Sequence, residues 1–166
     1  LVQLAPYVVF CLMAQLFDNQ GFAEIYKLLA YFLTVILGLV LHVSVVYPLL
    51  LVLLARLNPI TFLRKMREPM LVAFSTASSG ATLPVTLRTV QHRLGVKNEV
   101  SSFAVPLGAT INMDGTAIMQ GVATVFIAQF YAIDLTLGDY LMVILTATLA
   151  SIGTAGVPGV GLIMLT

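Results

Sequence analysis

Asp114 sits within Asn112-Met113-Asp114-Gly115-Thr116, in the middle of an apolar stretch from Val100 to Ile133, and no other acid occurs between Glu99 and Asp134. A carboxylate at bilayer depth is costly unless something pairs with it, so an intramembrane acid marks a functional site by default. Its neighbours Asn, Gly and Thr are poor helix formers, which predicts an interrupted helix where the charge lies. Secondary transporters expose an ion site at the bilayer midplane through such broken helices. The chemistry implied is binding and release of an ion.

A hard cation such as Na⁺ takes oxygen ligands. Asp114 supplies a charge, Asn112 an amide oxygen, and unwinding over Gly108 to Met113 would free backbone carbonyls. A second set of carbonyls is expected at Ser151 to Thr154. Ser78, Ser79 and Thr116 add hydroxyl donors, and helix N-termini at two turn-rich tips suit a carboxylate. Each feature has a plainer reading. A lone Ser or Thr in a membrane helix usually bonds its own backbone, so Ser75, Thr76 and Thr124 carry no claim. Glycines from Gly156 to Gly161 also fit close helix packing. Asp114 can be a structural acid paired with an Arg or Lys elsewhere. His42 reads as a packing residue, because no second His, Cys or acid lies at metal spacing.

The elements that must hold these groups are membrane helices. Of the 166 residues, 60% are hydrophobic and 9% charged, and mean hydropathy is +1.03. Soluble domains carry roughly 25% charged residues, which this chain falls far below. A net charge of +1 and the lack of a basic stripe interleaved with aromatics argue against nucleic acid as a partner. The single cysteine, Cys11, excludes an internal disulfide framework. The chain starts at Leu1 in apolar sequence, with no basic stretch and cleavage site of a signal peptide. It ends in the apolar run Val160 to Leu165 and reads as an internal stretch of a longer membrane protein.

Leu1 to Phe17 is a short apolar segment, closed by the turn Asp18-Asn19-Gln20-Gly21. Leu28 to Leu57 is long enough to cross with tilt and is a candidate for bending at Pro48. Seven of the eight Lys and Arg residues then fall between Arg56 and Lys97, on either side of Ser75-Thr76-Ala77-Ser78-Ser79-Gly80-Ala81-Thr82-Leu83-Pro84. Were 69–87 a spanning helix, one basic set would face outside, against the positive-inside rule. A hairpin that enters and leaves on one side keeps both sets cytoplasmic. Polar backbone at depth is tolerated where it is buried in protein or lines a wet cavity, so the tip belongs inside a site. Val100 to Ile133 crosses outward, broken at Asn112 to Gly115. The acidic loop Asp134 to Asp139 suits the outside. Tyr140 to Ala150 re-enters and meets Ser151-Ile152-Gly153-Thr154-Ala155-Gly156-Val157-Pro158-Gly159, which repeats the Ser, Gly, Thr, Pro order of the first tip. Opposed hairpins of this kind suit an inverted-topology repeat. The fold class expected is an all-α membrane protein with transmembrane helices and two opposed re-entrant hairpins.

Asn112-Met113-Asp114-Gly115-Thr116, Ala81-Thr82-Leu83-Pro84 after its serine-rich run, and Ala150 to Gly159 together resemble the dicarboxylate/amino acid:cation symporter family, over the whole chain. The resemblance implies a scaffold and trimerisation helix over 1–20 and part of an elevator-like transport domain over 21–166. It implies a homotrimer in membrane lipid, a plasma membrane or bacterial inner membrane location, and Na⁺ as coupling ion. It places Ser78, Ser79, Met113, Thr116, Gly156, Val157 and Gly161 at the substrate. Gly108 and Asn112 match carbonyl ligands of one Na⁺. Thr110, Met113, Ser151, Ile152 and Thr154 match a second, and Asn112 with Asp114 part of a third. The archaeal member's hairpin arginine falls at Ala77, and Gln120 stands where mammalian members carry a proton-accepting Glu, which implies simple Na⁺ coupling.

The function expected is therefore Na⁺-driven symport of aspartate or glutamate. The alternative keeps the fold and moves a C4-dicarboxylate or a neutral amino acid, driven by Na⁺ or by H⁺. An intramembrane hydrolase built on Ser79 would need a positioned base, and neither His42 nor His92 is near it in sequence. A channel is disfavoured by two gate-like tips at opposite faces.

Overall fold

Residues 10–11 and 23–153 are described by a computed structural model, and among them every regular element is helical. A long rod comes first. It is α1 (Ala23–Leu41), a π turn (His42–Val46) and α2 (Tyr47–Leu53), continuous in direction. Tyr26–Leu53 is long and apolar enough to cross a bilayer. Its 28 residues rise about 42 Å, more than the roughly 30 Å of hydrocarbon, which calls for tilt. Pro48 has no amide to donate, and its ring crowds the carbonyl four residues back. The widened turn just before it makes room, with the Tyr47 amide bonding the His42 carbonyl.

α3 (Pro59–Lys65) follows, capped by Asn58, whose Oδ1 accepts from the amides of Ile60 at 3.0 Å and Thr61 at 3.3 Å. α4 (Arg67–Thr76) and α5 (Ser79–Leu94) form a helical hairpin around Ala77 and Ser78. Ala77 takes the left-handed conformation at φ 47°. Ser78 then restarts the chain as a helix, its Oγ accepting from the Ala81 amide at 3.2 Å. Ten residues rise about 15 Å, so α4 reaches only half-way through a bilayer. Arg93 in the last turn of α5 bonds Glu68 in the first turn of α4, which puts the two basic sets at the same end of the hairpin.

α6 (Asn98–Ile111) and α7 (Asp114–Phe130) form the broken helix, and α8 (Leu137–Ile152) folds back on α7. α8 starts with a capping box in which Thr136 and Asp139 bond each other's backbone amides. α1 packs on α7, and α5 on α6. The buried positions are small or polar: Ala123, Ala128, Ala147, Ser78, Thr82, Thr89, Ser101, Gln120 and Ser151. Large side chains such as Phe32, Leu54, Phe74 and Leu145 point outward. Small residues at contacts let backbones approach closely, as membrane helices do where oil-like burial gives no advantage. At Gly38 an added Cβ would lie 3.1 Å from Ile118 Cγ2.

The helices differ from the sequence expectation in their limits. The rod runs from Ala23 to Leu53 rather than from Leu28 to Leu57, because Arg56 adopts φ 52° and breaks it. The unwound part of Val100–Ile133 is confined to Asn112 and Met113, with Asp114 and Gly115 already opening α7. The expected helix over Leu1 to Phe17 lies outside the described residues apart from 10–11, as do Thr154, Gly156, Val157 and Gly161.

Candidate functional site

The break at Asn112–Met113 organises the site. Asn112 has φ −92° and ψ 71°, and Met113 has φ −105° and ψ 49°, both off the helical track. The Asn112 amide still bonds the Gly108 carbonyl at 2.9 Å, whereas the Met113 amide turns to Ile111 at 3.1 Å. The carbonyls of Ala109 and Thr110 thereby lose the amides four residues on. The unwinding expected from Gly108 onward begins later, so Thr110 offers a freed carbonyl while that of Gly108 is already bonded. On the far side of the break, the Met113 carbonyl accepts from Thr116 at 3.0 Å and Ala117 at 3.1 Å and starts α7. Thr116 Oγ1 lies 3.8 Å from Met113 Sδ, joining two residues assigned to the substrate.

Asp114, half-buried at the head of α7, has its carboxylate against the rod. Oδ2 lies 3.1 Å from His42 Nε2 and accepts from the Tyr47 hydroxyl at 3.0 Å. An ionised carboxylate only accepts, so the hydrogen in the first bond sits on His42 Nε2. His42 is thus a direct partner of the central acid, where its sequence context pointed to packing. The Arg or Lys that the structural-acid reading called for is not at Asp114 among the described residues. Tyr47 was missed altogether. The signal was there: two ring side chains with polar atoms, five apart on an apolar helix and followed by Pro48.

Other assigned residues fall in two places. Ser79, at the start of α5, and Gly108 line one cavity of about 370 Å³ with Thr82, Thr86 and Ala104, so the first tip faces α6. Ser78 beside it is buried and caps α5. Ser151 is also buried, its Oγ donating to the Thr148 carbonyl at 2.8 Å, while Ile152 is exposed at the end of α8. Thr110 Oγ1 donates to the Pro106 carbonyl at 3.2 Å, which leaves its backbone oxygen as the available ligand atom. A larger apolar cavity of about 600 Å³, between α1, α7 and α8, holds none of the residues assigned from sequence.

The structure thus has a broken helix carrying a paired acid and, packed on its first half, a serine-tipped hairpin. The sodium:dicarboxylate symporter family profile matches residues 1–166. The chain belongs to that family. A putative sodium-dependent excitatory amino acid transporter of Caenorhabditis elegans is 51% identical over 140 residues, covering 84% of this chain and 28% of its own length. Excitatory amino acid transporter 3 of Mus musculus is 42% identical over 156 residues, 94% of this chain and 30% of its own length. Excitatory amino acid transporter 1 of Rattus norvegicus is 44% identical over 137 residues, 82% of this chain and 25% of its own length. The chain thus spans between a quarter and a third of these relatives. The family consists of symporters, which makes a hydrolytic role for Ser79 superfluous, and its all-α membrane character matches the helices seen here.

Proposed function

We propose that the full-length protein is a Na⁺-coupled symporter of an acidic amino acid, aspartate or glutamate, in a plasma membrane. The observation that carries this is Asp114, held at a two-residue break between α6 and α7 in a member of the sodium:dicarboxylate symporter family. The animal relatives are named as excitatory amino acid transporters, which favours an acidic amino acid and an animal plasma membrane over a bacterial inner membrane. Gly108 and Asn112 would serve one Na⁺, Thr110 through its freed carbonyl would join Met113, Ser151, Ile152 and Thr154 at a second, and Asn112 with Asp114 would form part of a third. Substrate would lie among Ser78, Ser79, Met113, Thr116, Gly156, Val157 and Gly161.

In this reading α4 and α5 are a re-entrant hairpin, supported by the short reach of α4 and the shared basic end. Residues 1–20 belong to a scaffold and 21–166 to a mobile transport domain of a homotrimer in lipid. Alternating access follows as an elevator movement. Uptake of labelled L-aspartate by the reconstituted full-length protein tests the proposal. We expect uptake that needs an inward Na⁺ gradient and is blocked by unlabelled glutamate. Uptake driven by a proton gradient alone would remove the Na⁺ sites. Competition by succinate or serine in place of glutamate would move the substrate to a dicarboxylate or a neutral amino acid.

A further inference from the structure

His42 and Tyr47 are five residues apart, which on an α-helix sets them about 140° apart around the axis. They nonetheless meet the same oxygen, Asp114 Oδ2, at 3.1 and 3.0 Å. The π turn between them is the reason. Its hydrogen bond runs from the Tyr47 amide to the His42 carbonyl and stacks those two positions on one face. Their rings touch edge to face, with centroids 4.7 Å apart at 70°, so each braces the other.

We infer that His42 and Tyr47 are positioning residues that orient Asp114 for its cation, by way of the π turn that brings them together. The inference rests on the reading of Asp114 as a cation ligand. Both hydrogen bonds land on Oδ2, and among the described residues Oδ1 takes none, which leaves that oxygen for the ion. The choice of partners matters as well. A Lys or Arg here would cancel the carboxylate's charge and repel Na⁺. Imidazole and phenol orient the group through donated hydrogen bonds without bringing an obligatory charge. The same acid on an α-helical rod would meet one of the two donors at most.

The test is made on the full-length protein in proteoliposomes, as the Na⁺ concentration for half-maximal uptake and, separately, the substrate KM at saturating Na⁺. Tyr47→Phe removes one hydroxyl and keeps the ring. A hydrogen bond to a charged group is worth enough that its loss should raise the half-saturating Na⁺ roughly tenfold. The substrate KM at saturating Na⁺ should stay within about twofold, since the lost bond acts on the cation's ligand. His42→Ala should act alike, and His42→Gln, which keeps an N–H donor, should recover most of the loss. In an Asp114→Asn background Tyr47→Phe should add nothing further. Unchanged Na⁺ dependence in Tyr47→Phe and His42→Ala, with Na⁺ dependence lost in Asp114→Asn, overturns the positioning role and leaves Asp114 as ligand. A fall in maximal rate or in folded yield with no shift in Na⁺ half-saturation also overturns it, as a purely structural role. Unaltered Na⁺ dependence in Asp114→Asn itself removes the cation reading beneath both.

Discussion

Arg93 Nη2 and Glu68 Oε2 meet at 2.8 Å and join the last turn of α5 to the first turn of α4. Both side chains are half-exposed, and an exposed pair of this kind contributes only about 0–1 kcal/mol. Its meaning lies in placement. The open ends of the hairpin lie together, and α4, which leads to the turn at Ala77 and Ser78, is only about 15 Å long.

That arrangement is checked by accessibility. In the full-length protein stripped of its native cysteines, Cys11 included, Glu68→Cys and Arg93→Cys should both react with a membrane-impermeant maleimide applied to the cytoplasmic face, and neither from outside. Reaction from opposite faces would make α4 and α5 cross the membrane and would end the re-entrant reading.

Asp114→Asn keeps the shape of the side chain and removes its charge. On the proposed role of Asp114, a hard cation would lose the acidic ligand that the described residues supply, so the half-saturating Na⁺ should rise by about tenfold or more, with aspartate uptake at ordinary Na⁺ falling in step. Titration of uptake against Na⁺ measures it, and an unshifted curve would dismiss Asp114 as an ion ligand.

Gly38 lies at a close approach of α1 to α7, with room for a Cβ only if Ile118 yields. Gly38→Val should force the rod away from α7 and lower stability by about 1–3 kcal/mol, the usual cost of overpacking. The midpoint of thermal unfolding in detergent reads this directly. Gly108→Ala, where an added Cβ meets nothing within 4 Å, serves as the comparison and should move it far less.

At the start of α8, Thr136 donates to Asp139 through its hydroxyl at 2.7 Å and its amide at 2.8 Å, which holds the Asp139 carboxyl below the usual carboxylate range. A group whose pKa is depressed on folding stabilises the fold above its unfolded pKa, and loses that effect as pH falls through the folded value. The first turn of α8 should therefore be firm at neutral pH and fray on acidification past the ordinary carboxylate range. Amide exchange at Gly138 to Tyr140, corrected for intrinsic rates, should show that onset, and Thr136→Ala should fray the turn at neutral pH.

Much of the helical plan was legible because its signals are local. Asn112 to Gly115 announced a break through poor helix formers. The edges were less so: a break of two residues needs only Asn112 and Met113 off the helical track, and composition does not say which of five neighbours those are. His42 and Tyr47 were visible as polar rings on an apolar helix, but that they share a face was hidden for a geometric reason. Counting around a helix assumes 100° per residue, and one π turn invalidates the count where the contact is made. The partnership with Asp114 also spans 72 residues in the case of His42, beyond any local pattern.

The burial of Ala, Ser and Thr, with the bulky aliphatics turned outward, shapes how this stretch tolerates change. Within this stretch, large apolar residues such as Leu54 and Phe74 face away from the contacts among its own helices, so trimming them leaves those contacts in place. Adding a single methyl group at Ala123 or Ala128 intrudes at a buried position on α7. Substitutions that shrink should therefore be borne widely and those that enlarge narrowly, the reverse of a water-soluble core. The fold is limited by room.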